Sequence, residues 1–185
     1  MAYDPSVKGS GHDMIDFLHT TEGYTMYAQL TFNVVDDIGT FHLPELAAAP
    51  YYELLRSYLA DAMSDQAFCA ALRELHQQEP QCLEVIASLT GGLAATLPSN
   101  ALAYADKGLA LTAGLIPRRF NGTIPWEHPG NKAFYRLLFA AALANICNGT
   151  FEKAMHIIKV SLARNPADPL GIRNLIDELP ARCVY

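Results

Sequence analysis

The sequence predicts a mainly α chain, an antiparallel α-hairpin array with a short β-hairpin near its N-terminus. Three observations carry that expectation. From position 49 onward apolar residues recur at three- and four-residue steps, broken only by short links holding Ser, Pro, Asn or Gly. From Tyr24 to Val35 the apolar spacing is two instead. The 185 residues are 51% hydrophobic and 17% charged, which is enough for one packed core and leaves little polar surface to cover it.

Residues 1–48 form an N-terminal segment and residues 49–185 the helical domain. The start is polar around Lys8-Gly-Ser-Gly-His12, and Met14, Ile15, Phe17 and Leu18 then allow two helical turns. Tyr24, Met26, Ala28, Leu30, Phe32 and Val34 share one side of a strand, with Gln29, Thr31 and Asn33 opposite. Asp36-Asp37-Ile38-Gly39 turns that strand back into Thr40-Phe41-His42-Leu43, because Asp tolerates turn conformations and bonds its own backbone. After Pro44 the pattern is helical. Pro50 or Tyr51 opens a helix to about Met63, and Ser64 caps a second to Gln78. Pro80 sits in the first turn of a third that reaches Thr96, and Pro98-Ser99-Asn100 precedes Ala101 to Leu115. After a long insertion come helices over Ala133–Asn148, Phe151–Arg164 and Pro169–Leu179, with Asp168 placed to cap the last. Gly91-Gly92, inside a helix, indicates a close helix crossing or a kink.

Counting from Tyr135, Ala142 occupies a small close-packing position, Gly149 a turn, Ala154 and Ile158 the next packing positions, Ser161 the last small one and Pro166 the end. This pattern resembles one unit of the tetratricopeptide (TPR) repeat, with Leu138 and Asn145 where that family prefers aromatic residues. A weaker match ends at Pro117, with Leu93 at the close-packing position and Asn100, Ala105, Leu109 and Thr112 following. Between the two lies the insertion that contains Phe120-Asn-Gly-Thr-Ile-Pro-Trp126, and the tail runs Asn165-Pro-Ala-Asp-Pro-Leu-Gly-Ile-Arg173. Both segments resemble a bacterial TPR-like family with a Phe-x-Gly-x-Ile-Pro-Trp linker and an Asn-Pro-x-Asp-x-x-Gly-x-Arg end. The resemblance implies a TPR-like helical domain used for docking rather than chemistry. Its frame puts Arg136, Phe139, Leu143 and Ile146 on the inner face of the last repeat, and Ala87, Thr90, Ala94 and Leu97 on that of the earlier one. Only Arg136 among these suits a carboxylate, so the family's carboxylate clamp is absent and a groove for an apolar segment is expected.

Thirteen Lys and Arg against nineteen Asp and Glu give a net charge of −6, which disfavours a broad phosphate-binding surface and so a nucleic-acid partner. Phe134 to Ile146 is interrupted by Arg136 and Asn145 and is too short to span a bilayer. The start lacks the apolar core of a secretory signal, so the expected location is cytoplasmic. Cys69, Cys82, Cys147 and Cys183 form no Cys-x-x-Cys pair and read as buried free thiols.

No catalytic, cofactor or metal site emerges from the residues. Glu127-His128 lacks the further ligands that a metal needs. His76 and His156 stand alone in amphipathic helices, and no Gly-x-Ser-x-Gly elbow or Lys-ended phosphate loop occurs. Arg118 and Arg119, with Lys132 and Arg136 downstream, are the one concentrated basic patch: they either cap helix ends or recognise an acidic segment. Trp126 is expected to plug the insertion onto the helices. The expected function is a non-catalytic protein-protein interaction module binding a protein or peptide through Arg136, Phe139, Leu143, Ile146, Arg118 and Arg119. Homo-oligomerisation is a further option. Alternative readings are a secretion-type chaperone, an immunity or inhibitor protein, or an enzyme with an unrecognised site.

Overall fold

The structure, a computed structural model, describes residues 28–180. The chain is mainly helical with a two-stranded antiparallel sheet at the start of the described part. The strands are β1 (Thr31–Val35) and β2 (Ile38–His42). The helices are α1 (Glu45–Leu59), α2 (Asp65–Gln78), α3 (Leu83–Leu93), α4 (Pro98–Leu115), α5 (Pro129–Cys147) and α6 (Phe151–Arg164), followed by a 3-10 helix (Ile172–Glu178). The helical turns expected near Met14–Leu18, the start of the expected strand at Tyr24, and Cys183 lie outside the described residues.

The β-hairpin turns at Asp36-Asp37, both at positive φ (50° and 60°), the left-handed pair that a two-residue hairpin turn requires. The register places Thr31 opposite His42 and Val35 opposite Ile38, so β2 starts two residues earlier than expected. β1 itself starts only at Thr31. Leu30 instead donates its amide to the Gln81 side chain (2.9 Å), and Ala28 donates to Glu79 (3.3 Å).

Several helix ends differ from expectation. α1 begins at Glu45 and runs through Pro50, so the position 48/49 boundary falls inside a helix. Pro50 has no N–H to offer the Leu46 carbonyl; Leu46 is 87% exposed, and water can take that place. α3 starts at Leu83 rather than near Pro80, and it ends at Leu93. Pro98 is the first residue of α4 instead of a break before it, and Pro129 likewise opens α5. The tail forms a 3-10 helix, started by Gly171 in the left-handed region (φ 67°). Gly171 rather than Asp168 is therefore the N-cap, but the two Asp168 carboxylate oxygens still accept from first-turn amides, those of Ile172 (2.8 Å) and Arg173 (3.0 Å). Ser64 caps α2 as expected, accepting from the Ala67 amide (3.2 Å).

The helices pack in a stacked order. α3 lies against α4 and α5, α5 also against α4 and α6, and α1 and α2 pack on each other and on α3. Leu72, Leu83, Ile86, Leu89, Leu137 and Ile158 are fully buried between them. Asn145 is buried where an aromatic was the family preference, and it joins α5 to α6 by accepting from the Thr150 hydroxyl (2.7 Å). The tight crossing is at Gly108, not at Gly91-Gly92. A Cβ on Gly108 would sit 2.8 Å from Leu137 and 2.9 Å from Ile86, whereas Gly91 and Gly92 are exposed and have room for one.

Candidate functional site: a cleft between the hairpin and the helices

The hairpin is locked to the helices by the insertion that precedes α5. Gly39 donates its amide to the Thr123 carbonyl (2.8 Å) and Thr123 donates to Asp37 (3.0 Å), so the linker adds a one-residue bridge to the outer edge of β2. Beyond that bridge the buried Asn131 side chain takes over. Its oxygen accepts from the Phe41 amide (2.8 Å), and its nitrogen donates to the carbonyls of Gly39 (3.1 Å) and Pro125 (2.8 Å). Gly122 and Gly130 allow this approach, since a Cβ on either would strike the carbonyl of Asp37 or of Phe41. Aromatic rings continue the contact from Phe32 to Phe41 (4.7 Å), Phe41 to Phe134 (4.8 Å) and Phe134 to Tyr135 (5.3 Å). Trp126 does plug the insertion onto the helices, 6.3 Å from Tyr135, with Lys132 over its face.

This junction encloses an open cleft of about 680 Å³ between the hairpin, α1, the start of α3 and the N-terminal turn of α5. Its walls are apolar at Leu30, Phe41, Leu83 and Ala133, and polar at Thr40, Tyr52, Glu45, Glu84, His42 and His128. The lining holds two carboxylates and no Lys or Arg. Glu84 is 7% exposed, yet no Lys or Arg lies within ion-pair distance of it among the described residues. The Tyr52 hydroxyl donates to one of its oxygens (3.1 Å) and the Cys82 thiol to the other (3.6 Å). Burial, and then the Glu84 charge, push both the Tyr52 hydroxyl and the Cys82 thiol up to about 12, so both remain donors. Tyr51, its hydroxyl 3.0 Å from that of Ser88, is raised mainly by burial.

Arg136 is exposed and lies close enough to Tyr51 and Tyr52 to oppose their shifts. Phe139, Leu143 and Ile146 are half-buried, in contrast to the buried Leu138, Ala142 and Asn145. Phe139, Leu143 and Ile146 therefore form the most accessible apolar stripe of α5, with Arg136 at its N-terminal end. It begins one turn beyond Ala133 in the cleft. On α3 the frame is displaced: Ala87, Thr90 and Ala94 are buried, and the accessible side runs through Ser88, Gly91 and Ala95. Leu97 is exposed beyond the helix. Arg118 and Arg119 are exposed at the start of the linker.

Arg164, which carried no expectation, ties the linker to α6 through bonds to the carbonyls of Gly122 and Phe120 (both 2.9 Å), with its guanidinium over the Phe120 ring. Of the three described cysteines, all unpaired, only Cys82 is buried; Cys147 is exposed because it lies on the outer side of the last turn of α5. Among the described residues no group of three or more His, Cys, Asp or Glu is placed to hold a metal, and no helix is long and apolar enough to cross a membrane. Comparison with protein-family models, curated proteins and solved structures finds no match for the chain.

Proposed function

We propose that this chain is a non-catalytic, TPR-like interaction module that holds a segment of a cytoplasmic partner protein in the cleft and along the α5 stripe. The observation that carries the reading is the open cleft itself, with apolar walls and carboxylates that no Lys or Arg of the lining neutralises. Charge complementarity favours a segment with a Lys or Arg flanked by apolar residues. From Ala133 to Ile146 the helix rises about 20 Å, which roughly six extended residues would follow. The packing order, α3 on α4 and α5 and then α5 on α4 and α6, supports stacked TPR-type hairpins, in which each unit touches only its neighbours.

A pull-down from the host with the full chain, read by mass spectrometry, tests this against Thr40→Arg, which puts a bulky cation into the cleft. The expected outcome is one stoichiometric partner lost in the variant while circular dichroism and melting temperature stay unchanged. A partner retained by Thr40→Arg would move the docking site elsewhere. Turnover in a broad substrate screen without any stable partner would favour the enzyme reading.

A further inference from the structure

The two edges of the hairpin are treated differently by the rest of the molecule. On β2 the outward backbone groups are those of Gly39 and Phe41: Thr123 accepts from the Gly39 amide, and Asn131 donates to the Gly39 carbonyl and accepts from the Phe41 amide. Alternation across the antiparallel pair then directs the outward N–H and C=O groups of β1 to Phe32 and Val34. Among the described residues these four groups have no backbone or side-chain partner. The strand reads Thr-Phe-Asn-Val-Val, with neither the charge nor the proline that commonly protects a sheet edge. Val34 (42% exposed), Val35 (68%) and Ile38 (40%) add apolar surface beside it.

We infer that β1 pairs antiparallel with β1 of a second copy of this chain, about a twofold axis at Asn33, to give a four-stranded sheet. This does not depend on the cleft. The strand is self-complementary in that arrangement. Phe32 of each copy lies opposite Val34 of the other, and each such pair exchanges two main-chain bonds. Thr31 then faces Val35, a pairing of two β-branched side chains that strands favour. The acidic tips Asp36-Asp37 fall at opposite ends of the joint, whereas parallel pairing would set them side by side in a chain that already carries −6. Because a five-residue edge buries less than the roughly 1,200 Å² of a standard stable interface, the dimer is weak and concentration-dependent.

Sedimentation velocity on the full chain from about 5 to about 500 µM, a range suited to a small interface, should show a monomer passing to a dimer. Val34→Pro removes an outward amide without touching a bond inside the hairpin, and it should raise the dissociation constant at least about tenfold. Amide exchange should slow at Phe32 and Val34 as the dimer forms. A chain that stays monomeric throughout would overturn the inference, as would a Val34→Pro dimer of unchanged affinity. Should Val34→Pro lose ellipticity or melting temperature, Val34→Lys keeps the backbone bond and sets a like charge diagonally across the joint from its twin; an unweakened dimer there would equally overturn it.

Discussion

Asn131 bonds groups separated from it by 90 and 92 residues in the chain, and it is fully buried while doing so. Replacing it with Ala would leave the Phe41 amide and the Gly39 carbonyl without partners in a site closed to water. Asn131→Ala should therefore destabilise the chain by at least about 1–3 kcal/mol, read from denaturant unfolding. His76 presents a different problem. Its Nδ1 is buried without a partner among the described residues, its ring stands edge-on to Tyr104, and burial and then Lys107 lower its pKa below 6.5. The unfolded chain thus takes up this proton first as the pH falls. The stability contributed by neutral His76 is full above about pH 6.5, and it is lost as the pH drops through the lowered folded value. Melting temperature should fall between pH 7 and pH 5, and less steeply in His76→Phe. Neither role was legible in the sequence. An Asn ahead of a helix reads as a cap, and a lone His on an amphipathic helix does not disclose that its inner nitrogen faces no donor.

Within α5, two stripes separate by one residue of phase. Leu138 is buried between helices, and Phe139 rests half-exposed beside the core. Leu138→Ala should cost about 2–5 kcal/mol. Phe139→Ser should cost clearly less, in parallel denaturant titrations, while weakening partner capture. Equal losses would make the whole helix core and remove the stripe. That face was readable because α5 is long and its apolar period regular; the same frame failed on α3, where Leu93 displaced the weaker match and the accessible side moved to Ser88 and Gly91. Helix α2 was readable to the residue because Ser64 supplies both signal and bond. The start of α1 was hidden by Pro50, a residue that reads as a beginning but here takes an interior place one turn after the exposed Leu46. Gly91-Gly92 misled for a related reason. Glycine marks close approach only where a neighbour comes near, and Leu137 comes near Gly108.

In the molecule as a whole, the β-hairpin and the helical array are one packed body rather than a segment joined to a domain. Leu30 and Phe41 share a core with Ile86, Phe134, Leu137 and Ile158. Composition and periodicity announced both parts but not their junction, since an alternating strand shows which side chains want burial and not against what. The Phe-x-Gly-x-Ile-Pro-Trp stretch proves to be that junction: Phe120 lies under Arg164, Ile124 is buried, and the Ile124 carbonyl accepts from the Tyr135 hydroxyl (2.6 Å). A linker that was read as an interruption between repeats thus fastens the hairpin at one end and α6 at the other.

The order in which this chain leaves the ribosome follows from that junction. The strands are made early, yet the groups that bond Gly39 and the Phe41 amide belong to Thr123 and Asn131, 90 residues behind Phe41 in the second case. At about 5–20 residues per second, the hairpin waits roughly 5–20 s for them. For that interval both of its edges are open and its aromatic face is unpaired, which is when an uncharged strand such as Thr31–Val35 is most exposed to wrong partners. Nascent chains halted before Asn131 should accordingly be the form of this protein that chaperones hold.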